Sequence, residues 1–219
     1  MKFTEGYWLL SERTNGQFAS QAYHIEAMEN GLRVVAPTSP VLSRGDTLNR
    51  PTITIEFLAV SPEVISVRAW HYEGYRTGEA RFEKKETTCD AVVTITENEA
   101  VLDAGRVSVH VDRKNWGYSF WADGKLLTSS GFHNLGYVRW DRSVSSMLPQ
   151  DNYMKEHEYT PYMTQDLLLA PGENVYGFGE RFTAFVKNGQ AVETWNEDGG
   201  TASQVAYKNI PFYMTNRGY

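Results

Sequence analysis

The feature that most limits the fold of this chain is a succession of short segments in which apolar and polar residues alternate. Residues 52–60 (TITIEFLAV) and 64–71 (VISVRAWH) are two of them. Asn30-Gly31 is at the predicted hairpin tip of a second pair, and Asp123-Gly124 separates a third. A period of two places successive side chains on opposite faces of a strand, and an Asp-Gly pair is typical of a hairpin tip. No segment has a convincing helical period. The sequence therefore predicts an all-β fold.

The predicted strands are numerous and short, and turn signals rather than helices join them. They cover residues 21–28, 32–36, 52–60, 64–71, 91–96, 100–103, 106–112, 118–122, 125–129, 163–169, 175–178 and 210–215. This spacing is typical of an antiparallel β-sandwich. Residues 131–161 form the longest irregular segment, which we interpret as a connecting loop. The turn signal Asn216-Arg217-Gly218 follows the last predicted strand, and we expect a partner strand after it.

Length and charge narrow the range of functions. A chain of 219 residues suffices for one large all-β domain, so we expect residues 1–219 to form a single domain. The net charge of -6, without a basic block, argues against a nucleic-acid partner. The sequence has no run of 18 apolar residues and begins without the apolar segment of a signal peptide. We therefore expect no membrane partner and a cytoplasmic location.

Sites for metals and cofactors are not expected. Cys89 is the only cysteine, and the five histidines lack the spacing of a zinc site. Gly177-Phe178-Gly179 resembles the start of a phosphate-binding loop, but neither a third glycine nor a helix follows it. The sequence therefore predicts no metal and no cofactor.

Carboxylates and aromatic residues cluster near the C-terminal end of the chain. We interpret Glu180-Arg181 as a salt-bridged pair that fixes a turn. Asp198 precedes two glycines and follows Trp195 by three positions. It is either a turn residue or a carboxylate presented to sugar hydroxyls, because an indole face beside a carboxylate is suited to gripping a sugar ring. The residues alone leave both interpretations open.

Four motifs in this region carry a resemblance to a known family. They are YGFGERF, KNGQ, ETWNEDGG and YKNIPFYMTNRGY, at residues 176–182, 187–190, 193–200 and 207–219. Together they resemble the N-terminal region of glycoside hydrolase family 31, and most of all its bacterial α-xylosidase branch. The segment KFTEGYWLL at residues 2–10 is also similar to the start of these xylosidases, although more loosely.

The resemblance implies a fold and an enzyme class. Members carry an N-terminal β-sandwich of the galactose-mutarotase-like type, with long loops, followed by a (β/α)8 barrel. They are retaining α-glycosidases, and two aspartates of the barrel perform the reaction. We therefore expect this chain to be the front part of a longer enzyme, inactive alone and without catalytic residues of its own. The expected substrate is a terminal α-linked xylose or glucose, and the expected partner is the barrel.

The resemblance also implies which residues approach the substrate. In the family, a long loop of the N-terminal domain helps to shape the pocket for the non-reducing-end sugar. Asp198 matches the aspartate of that loop and is expected to accept hydrogen bonds from sugar hydroxyls. Trp195 and Asn196 are expected to shape or brace the loop, and residues 176–181 are expected to be a scaffold for it and not a contact surface. Glu197 departs from the pattern, since relatives commonly carry Arg there, and this leaves the choice between xyloside and glucoside open.

Two other functions compete with this interpretation. The chain is alternatively a free-standing carbohydrate-binding module, in which exposed Trp195, Trp140 and Trp121 form a platform for sugars. It is alternatively a β-sandwich whose main role is assembly. The last function is compatible with the enzyme, because α-xylosidases of this type tend to form homo-oligomers.

Overall fold

The computed structural model describes residues 3–5, 9–48, 50–74, 89–141, 159–197, 199 and 204–219. The described residues contain no α-helix, one short 3-10 helix (Arg44–Thr47) and fifteen strands. None of these elements is a helix with the length and apolar character that a membrane crossing needs. The strands are β1 (Thr4–Glu5), β2 (Leu9–Leu10), β3 (Thr14–Phe18), β4 (His24–Met28), β5 (Gly31–Pro37), β6 (Thr52–Ser61), β7 (Val64–Trp70), β8 (Val92–Ile95), β9 (Glu99–Asp103), β10 (Val107–Asp112), β11 (Gly117–Ala122), β12 (Lys125–Asp141), β13 (Tyr159–Leu167), β14 (Val175–Gly177) and β15 (Tyr213–Thr215). The all-β prediction is confirmed.

The chain divides into two compact units, which we call the larger unit (Phe3–Leu168) and the smaller unit (Leu169–Tyr219). The larger unit contains two main antiparallel sheets. One has the strand order β4-β5-β6-β7. The other has the order β13-β12-β11-β10-β9-β8, with β3 also paired to β12.

One hydrophobic core joins these two sheets into a sandwich. The Phe57 ring of β6 lies 5.4 Å from the Tyr118 ring and 6.1 Å from the Phe120 ring, both on β11. Phe57 is fully buried, and burial of such a side chain contributes about 2–3 kcal/mol. The buried members of the core are Ala19, Ala22, Leu32, Val34, Ala36, Ile53, Ile55, Phe57, Ala100, Leu102, Val109, Val111, Tyr118 and Leu135.

Hairpins form where the turn signals predicted them. Asn30 joins β4 to β5 with φ of 53°, and Asp123 joins β11 to β12 with φ of 49°. Both are left-handed conformations that Asn and Asp tolerate better than most residues. The hairpin predictions at these positions are confirmed.

The structure corrects the interpretation of residues 131–161 as a connecting loop. β12 continues through this segment to Asp141, and β13 begins at Tyr159. Its register shifts between Ser130 and Leu135, and His133 within this bulge has φ of 59°. A bulge inserts an extra residue and moves later side chains out of phase. The alternation that marks a strand is therefore interrupted, and the prediction ended the strand too early at residue 129. Residues 142–158 lie outside the described part of the chain.

The smaller unit contains one two-stranded sheet and long loops. β15 pairs antiparallel with β14, so that Tyr176 lies opposite Met214. This partner precedes β15 in the chain, and a further partner strand after Asn216-Arg217-Gly218 stays a prediction. Asparagine side chains hold the adjoining loops: Asn188 Oδ1 accepts from the Val175 N–H at 2.8 Å, and Asn216 Oδ1 accepts from the Asn174 N–H at 3.0 Å.

Candidate functional site

The predicted site begins with an exposed tryptophan on a held loop of the smaller unit. Trp195 is 74% exposed. Asn196 next to it forms an isolated parallel bridge with Ala206. The Glu197 N–H donates to the Ala206 carbonyl at 3.0 Å. Two neighbouring residues therefore anchor the backbone while the indole of Trp195 stays open to solvent.

Asn209 holds this loop through its side chain. Its Nδ2 donates to the Trp195 carbonyl at 2.7 Å, to Asn196 Oδ1 at 3.0 Å and to the Ala206 carbonyl at 2.6 Å. Its backbone N–H also donates to Asn196 Oδ1, at 3.1 Å. The Asn196 amide oxygen is therefore occupied by protein donors, and its contact with Asn209 orders the backbone that carries Trp195.

Arg181 is the second support of the loop. Its guanidinium donates to the carbonyls of Phe178 at 3.1 Å, Gln204 at 3.3 Å and Glu193, and to the side-chain oxygen of Asn209. A planar fork with five N–H donors is suited to joining several segments in this way. Arg181 belongs to the segment 176–181 that we expected to be a scaffold for the loop, but its carbonyl partners could not be foreseen from the sequence. Asn209 was missed altogether.

The interpretation of Glu180-Arg181 as a salt-bridged pair is wrong. Glu180 Oε2 lies 3.0 Å from Lys208 Nζ, and Arg181 binds carbonyl oxygens instead. The hydrogen bond from Lys208 to Glu180 raises the pKa of the lysine. Both side chains are more than half exposed, so this pair adds little stability.

The KNGQ motif is a structural element. Lys187 is buried, and its Nζ donates to Thr183 Oγ1 at 2.9 Å and to the Ala184 carbonyl at 2.7 Å. Burial lowers the pKa of Lys187, and the nearby Arg181 charge acts in the same direction. Gln190 Nε2 donates to the Val186 carbonyl at 2.6 Å. The motif therefore closes a loop and presents no free catalytic group.

A small cavity of about 60 Å³ lies beside Trp195. This volume is far below the roughly 300–1,000 Å³ of small-molecule sites, so a sugar would have to use the open face of the indole. Asp198, the predicted acceptor of sugar hydrogen bonds, lies outside the described residues. The residues that line the cavity include Arg181, Gln190, Glu193, Trp195, Glu197 and Gln204.

The structure does not support an exposed platform of three tryptophans. Trp121 and Trp140 are both half-buried. The Trp121 Nε1–H donates to Ser119 Oγ at 2.8 Å, and the Trp140 ring packs 5.9 Å from the Phe3 ring. The prediction of exposure is therefore wrong for these two and confirmed for Trp195. Within the described part of the chain, no group of three or more His, Cys, Asp or Glu side chains is arranged to hold a metal ion.

Comparison with known proteins identifies the family. The family model of the glycosyl hydrolase 31 N-terminal galactose mutarotase-like domain matches residues 53–219. The chain belongs to this family. The family 31 resemblance of the C-terminal motifs is confirmed, and so is the galactose-mutarotase-like type of the fold.

Curated relatives of this family 31 domain include α-xylosidases from a bacterium and a fungus. The chain is 38% identical over 224 residues to the alpha-xylosidase XylQ of Lactiplantibacillus pentosus, and the alignment covers 100% of the chain and 27% of XylQ. It is 33% identical over 228 residues to an alpha-xylosidase of Emericella nidulans, covering 100% of the chain and 29% of that protein. The family 31 domain thus spans between a quarter and a third of these relatives.

Solved structures share the fold of the family 31 domain. A cycloalternan-forming enzyme from Listeria monocytogenes, in complex with a pentasaccharide substrate, matches with a TM-score of 0.63 and 15% identity, covering 92% of this chain and 17% of that one. A GH31 dextranase from Flavobacterium johnsoniae matches with a TM-score of 0.56 and 18% identity, covering 92% and 21%. At these identities the likeness shows the fold alone.

Proposed function

We propose that this chain is the N-terminal domain of a retaining α-glycosidase that removes terminal α-linked xylose or glucose. The observation that carries the proposal is the 38% identity of the whole chain to a bacterial α-xylosidase, of which it spans 27%. The chain supplies a loop to the substrate pocket, and the partner domain supplies the catalytic carboxylates. The natural substrate in this proposal is an α-xyloside or α-glucoside oligosaccharide.

The described carboxylates support a role other than catalysis. A retaining glycosidase needs two carboxyl groups about 5 Å apart on rigid elements. Glu180 is paired with Lys208, and Glu193 and Glu197 are exposed on loops. None of these three belongs to a strand. The reaction itself is therefore assigned to the partner domain.

The loop around Trp195 has the properties of a sugar-contacting segment. Its backbone is fixed by Asn209 and Arg181, which lowers the entropy lost when a ligand binds. The exposed indole offers an apolar face to a sugar ring. In the proposal, the Asp198 carboxylate accepts hydrogen bonds from sugar hydroxyls. Asn196 stabilises the loop through its hydrogen bond with Asn209.

Exposed apolar side chains support the presence of a partner domain. In the smaller unit Phe182 is 53%, Phe185 78% and Phe212 61% exposed, in addition to Trp195. Large apolar side chains exposed in this way are found on surfaces that other protein segments cover. We assign them to contact with the catalytic domain. A second copy of the chain is the alternative occupant, in agreement with the expected homo-oligomer.

The decisive experiment replaces Asp198 in the full-length enzyme. Asp198→Ala is expected to lower kcat/KM for an aryl α-xyloside by about 5-fold to 150-fold, the loss of roughly 1–3 kcal/mol for a hydrogen bond to a charged group. The neighbouring Glu197→Gln change removes one charge from the same loop and serves as the matched control. Its kcat/KM is expected to change less than that of Asp198→Ala. Wild-type kinetics for Asp198→Ala would assign Asp198 to the turn alone.

The exposed Trp195 also favours a second candidate, a free-standing carbohydrate-binding module. The two functions differ in what the 219-residue chain does alone. A module binds xylo- or gluco-oligosaccharides by itself, and Trp195→Ala then abolishes binding. The enzyme-domain proposal expects no saturable binding by the isolated chain. Calorimetric titration with these oligosaccharides separates the two.

A further inference from the structure

A second concave region, distant in sequence from Trp195, lies in the larger unit. It is an open cleft of about 510 Å³. This is within the size range of small-molecule sites. Among the described residues that line it, three of six are basic and none is acidic, although the chain as a whole carries a net charge of -6. The lining residues are Gln17, Arg50, Pro51, His71, Tyr137 and Arg139.

Strand register explains one wall of this cleft. Val138 of β12 is buried, so Tyr137 and Arg139 on either side of it project from the opposite face of the sheet. Gln17 of β3 lies directly opposite Tyr137 in the antiparallel pairing, and paired residues share a face. Three polar side chains are therefore brought together by the sheet itself.

The other wall comes from the four-stranded sheet. Arg50 precedes β6. His71 follows β7, the strand that is paired with β6. His71 Nδ1 lies 3.1 Å from the Thr52 carbonyl, and the His71 ring is 4.5 Å from the Tyr137 ring. A carbonyl only accepts, so Nδ1 carries the hydrogen. His71 Nε2 has no hydrogen-bond partner among the described residues.

The two arginines differ from others in the chain. Arg33 lies 2.6 Å from a Glu56 oxygen, and Arg106 contacts Glu63 and Asp123. Arg50 and Arg139, in contrast, have no carboxylate within salt-bridge distance among the described residues. Arg139 instead stacks 5.1 Å over the Tyr159 ring, and its Nε is buried with no hydrogen-bond partner in the described structure.

We propose that this cleft binds the oxyanion of a small ligand, either a phosphate or a carboxylate group. The guanidinium groups of Arg50 and Arg139 supply paired donors, which match the oxygens of such groups better than those of neutral ligands. The Gln17 amide and the imidazole of His71 supply further donors. A bound anion also relieves the repulsion between cationic groups that line one cleft.

The proposal is tested by titration of the 219-residue chain with inorganic phosphate, and separately with acetate, at constant pH and ionic strength. The nuclear magnetic resonance signals of the His71 imidazole are expected to shift and saturate. Those of His24, an exposed histidine of β4 outside the cleft, are the internal control and are expected to stay in place. Saturation by phosphate but not by acetate assigns the cleft to a phosphate group. Saturation by acetate but not by phosphate assigns it to a carboxylate group, and saturation by both assigns it to oxyanions of either kind.

Variants establish where the anion binds. Arg50→Met and Arg139→Met are each expected to weaken binding at least about tenfold, whereas Arg106→Met leaves it unchanged. Arg50 is exposed, so its replacement keeps the fold, which the unfolding midpoint verifies. Arg139→Met also removes the contact with Tyr159, so Arg50→Met is the cleaner variant.

Three results would overturn the proposal. The first is the absence of a saturable shift up to about 50 mM phosphate, well above a millimolar Kd. The second is an equal loss of affinity in Arg106→Met and Arg50→Met, which indicates attraction to surface charge in general. The third is saturation of the His71 shift by D-xylose without any response to phosphate or acetate, which assigns the cleft to neutral sugars.

Discussion

Single side chains hold the loop that carries Trp195, and Asn209 is the most heavily used of them. One amide group binds two carbonyls and one side-chain oxygen, and its backbone N–H adds a fourth contact. The order of the candidate site therefore depends on a residue that follows it by more than ten positions.

Asn209→Ala is expected to loosen this loop without unfolding the chain. The variant removes several hydrogen bonds of the side chain, and the net loss of even one costs about 1 kcal/mol, so local opening is expected to increase at least about fivefold. Hydrogen exchange of the Glu197 N–H, bonded to the Ala206 carbonyl, reports that opening. The control is Asn115→Ala, an asparagine of the larger unit that bonds to Asp112. Equal exchange in wild type and Asn209→Ala would show that Arg181 alone holds the loop.

The buried hydroxyl of Tyr118 is expected to make the folding stability of the chain decrease with pH in the alkaline range. Burial raises the pKa of its hydroxyl to about 12, while the Gln165 hydrogen bond opposes the shift. The unfolded value is about 10, so the folded state favours the protonated phenol. This contribution is fully present below pH 10 and is lost as pH rises towards the folded pKa.

The corresponding measurement compares the wild type with Tyr118→Phe by urea unfolding at several pH values. The difference in unfolding free energy, wild type minus variant, is expected to fall by about 1.4 kcal/mol for each pH unit above 10. Because other tyrosines and lysines titrate in both proteins, their effects cancel in the difference. A constant difference from pH 8 to 11 would contradict the assignment.

At the scale of elements, the smaller unit depends on a close approach between its loops. Gly179 has φ of 85°, and a Cβ there would lie 2.2 Å from the Lys208 carbonyl oxygen. Gly189 has a similar φ of 74°, but a Cβ there meets nothing within 4 Å. Substitutions at these two glycines therefore distinguish two losses of stability: the strain of a left-handed backbone conformation, and the clash of a new Cβ with main-chain atoms.

Alanine at each of these glycines gives a matched pair. Gly189→Ala is expected to cost about 1 kcal/mol, the price of a left-handed conformation for a residue with a Cβ. Gly179→Ala adds a clash with main-chain atoms and is expected to cost at least about 3 kcal/mol. Urea unfolding of both variants tests this. Equal costs would mean that residues 208–210 move aside freely.

The sequence predicted elements well where local rules decide them. Strands with regular alternation and Asn or Asp turns, such as β4 to β7, lie close to the predicted positions. β12 was cut short because a bulge interrupts its alternation. β3 (TNGQF) was missed because its sequence is polar and glycine-containing, and only its pairing with β12 makes it a strand.

The candidate site was predictable to a smaller extent. The motifs around Trp195 identified the loop, since an exposed aromatic residue beside carboxylates is a local signal. The segment 176–181 was expected to be a scaffold for this loop, but the contacts of Arg181 and Asn209 were not predictable, because both act through carbonyl oxygens that any residue carries. The cleft around Arg139 was missed for a similar reason. Its members come from four separate segments that only the folded sheets bring together.

At the scale of the whole molecule, exposed apolar surface governs how the chain behaves alone. Without the proposed partner domain, the 219-residue chain is expected to self-associate as its concentration rises, because apolar side chains such as Phe185 and Phe212 remain uncovered. Sedimentation velocity over a range of concentrations measures this.

Variants connect self-association to the smaller unit. The double change Phe185→Ser and Phe212→Ser is expected to shift the association towards monomer. Leu42→Ser is the control, since Leu42 is 89% exposed but belongs to the larger unit. A monomeric wild-type chain at all concentrations would contradict the prediction, and an equal effect of Leu42→Ser would place the contact elsewhere.

The pairing of β3 with β12 has a consequence for synthesis on the ribosome. Phe18 of β3 pairs with Gly136 of β12, so β3 cannot pair until the ribosome has synthesised the much later β12. At about 5–20 residues per second, this delay lasts roughly 6 to 24 seconds. During that time β3 has an unpaired edge open to other nascent chains. Productive folding in a cell is therefore expected to improve with slower expression at low temperature and with chaperones that bind the emerging N-terminal segment.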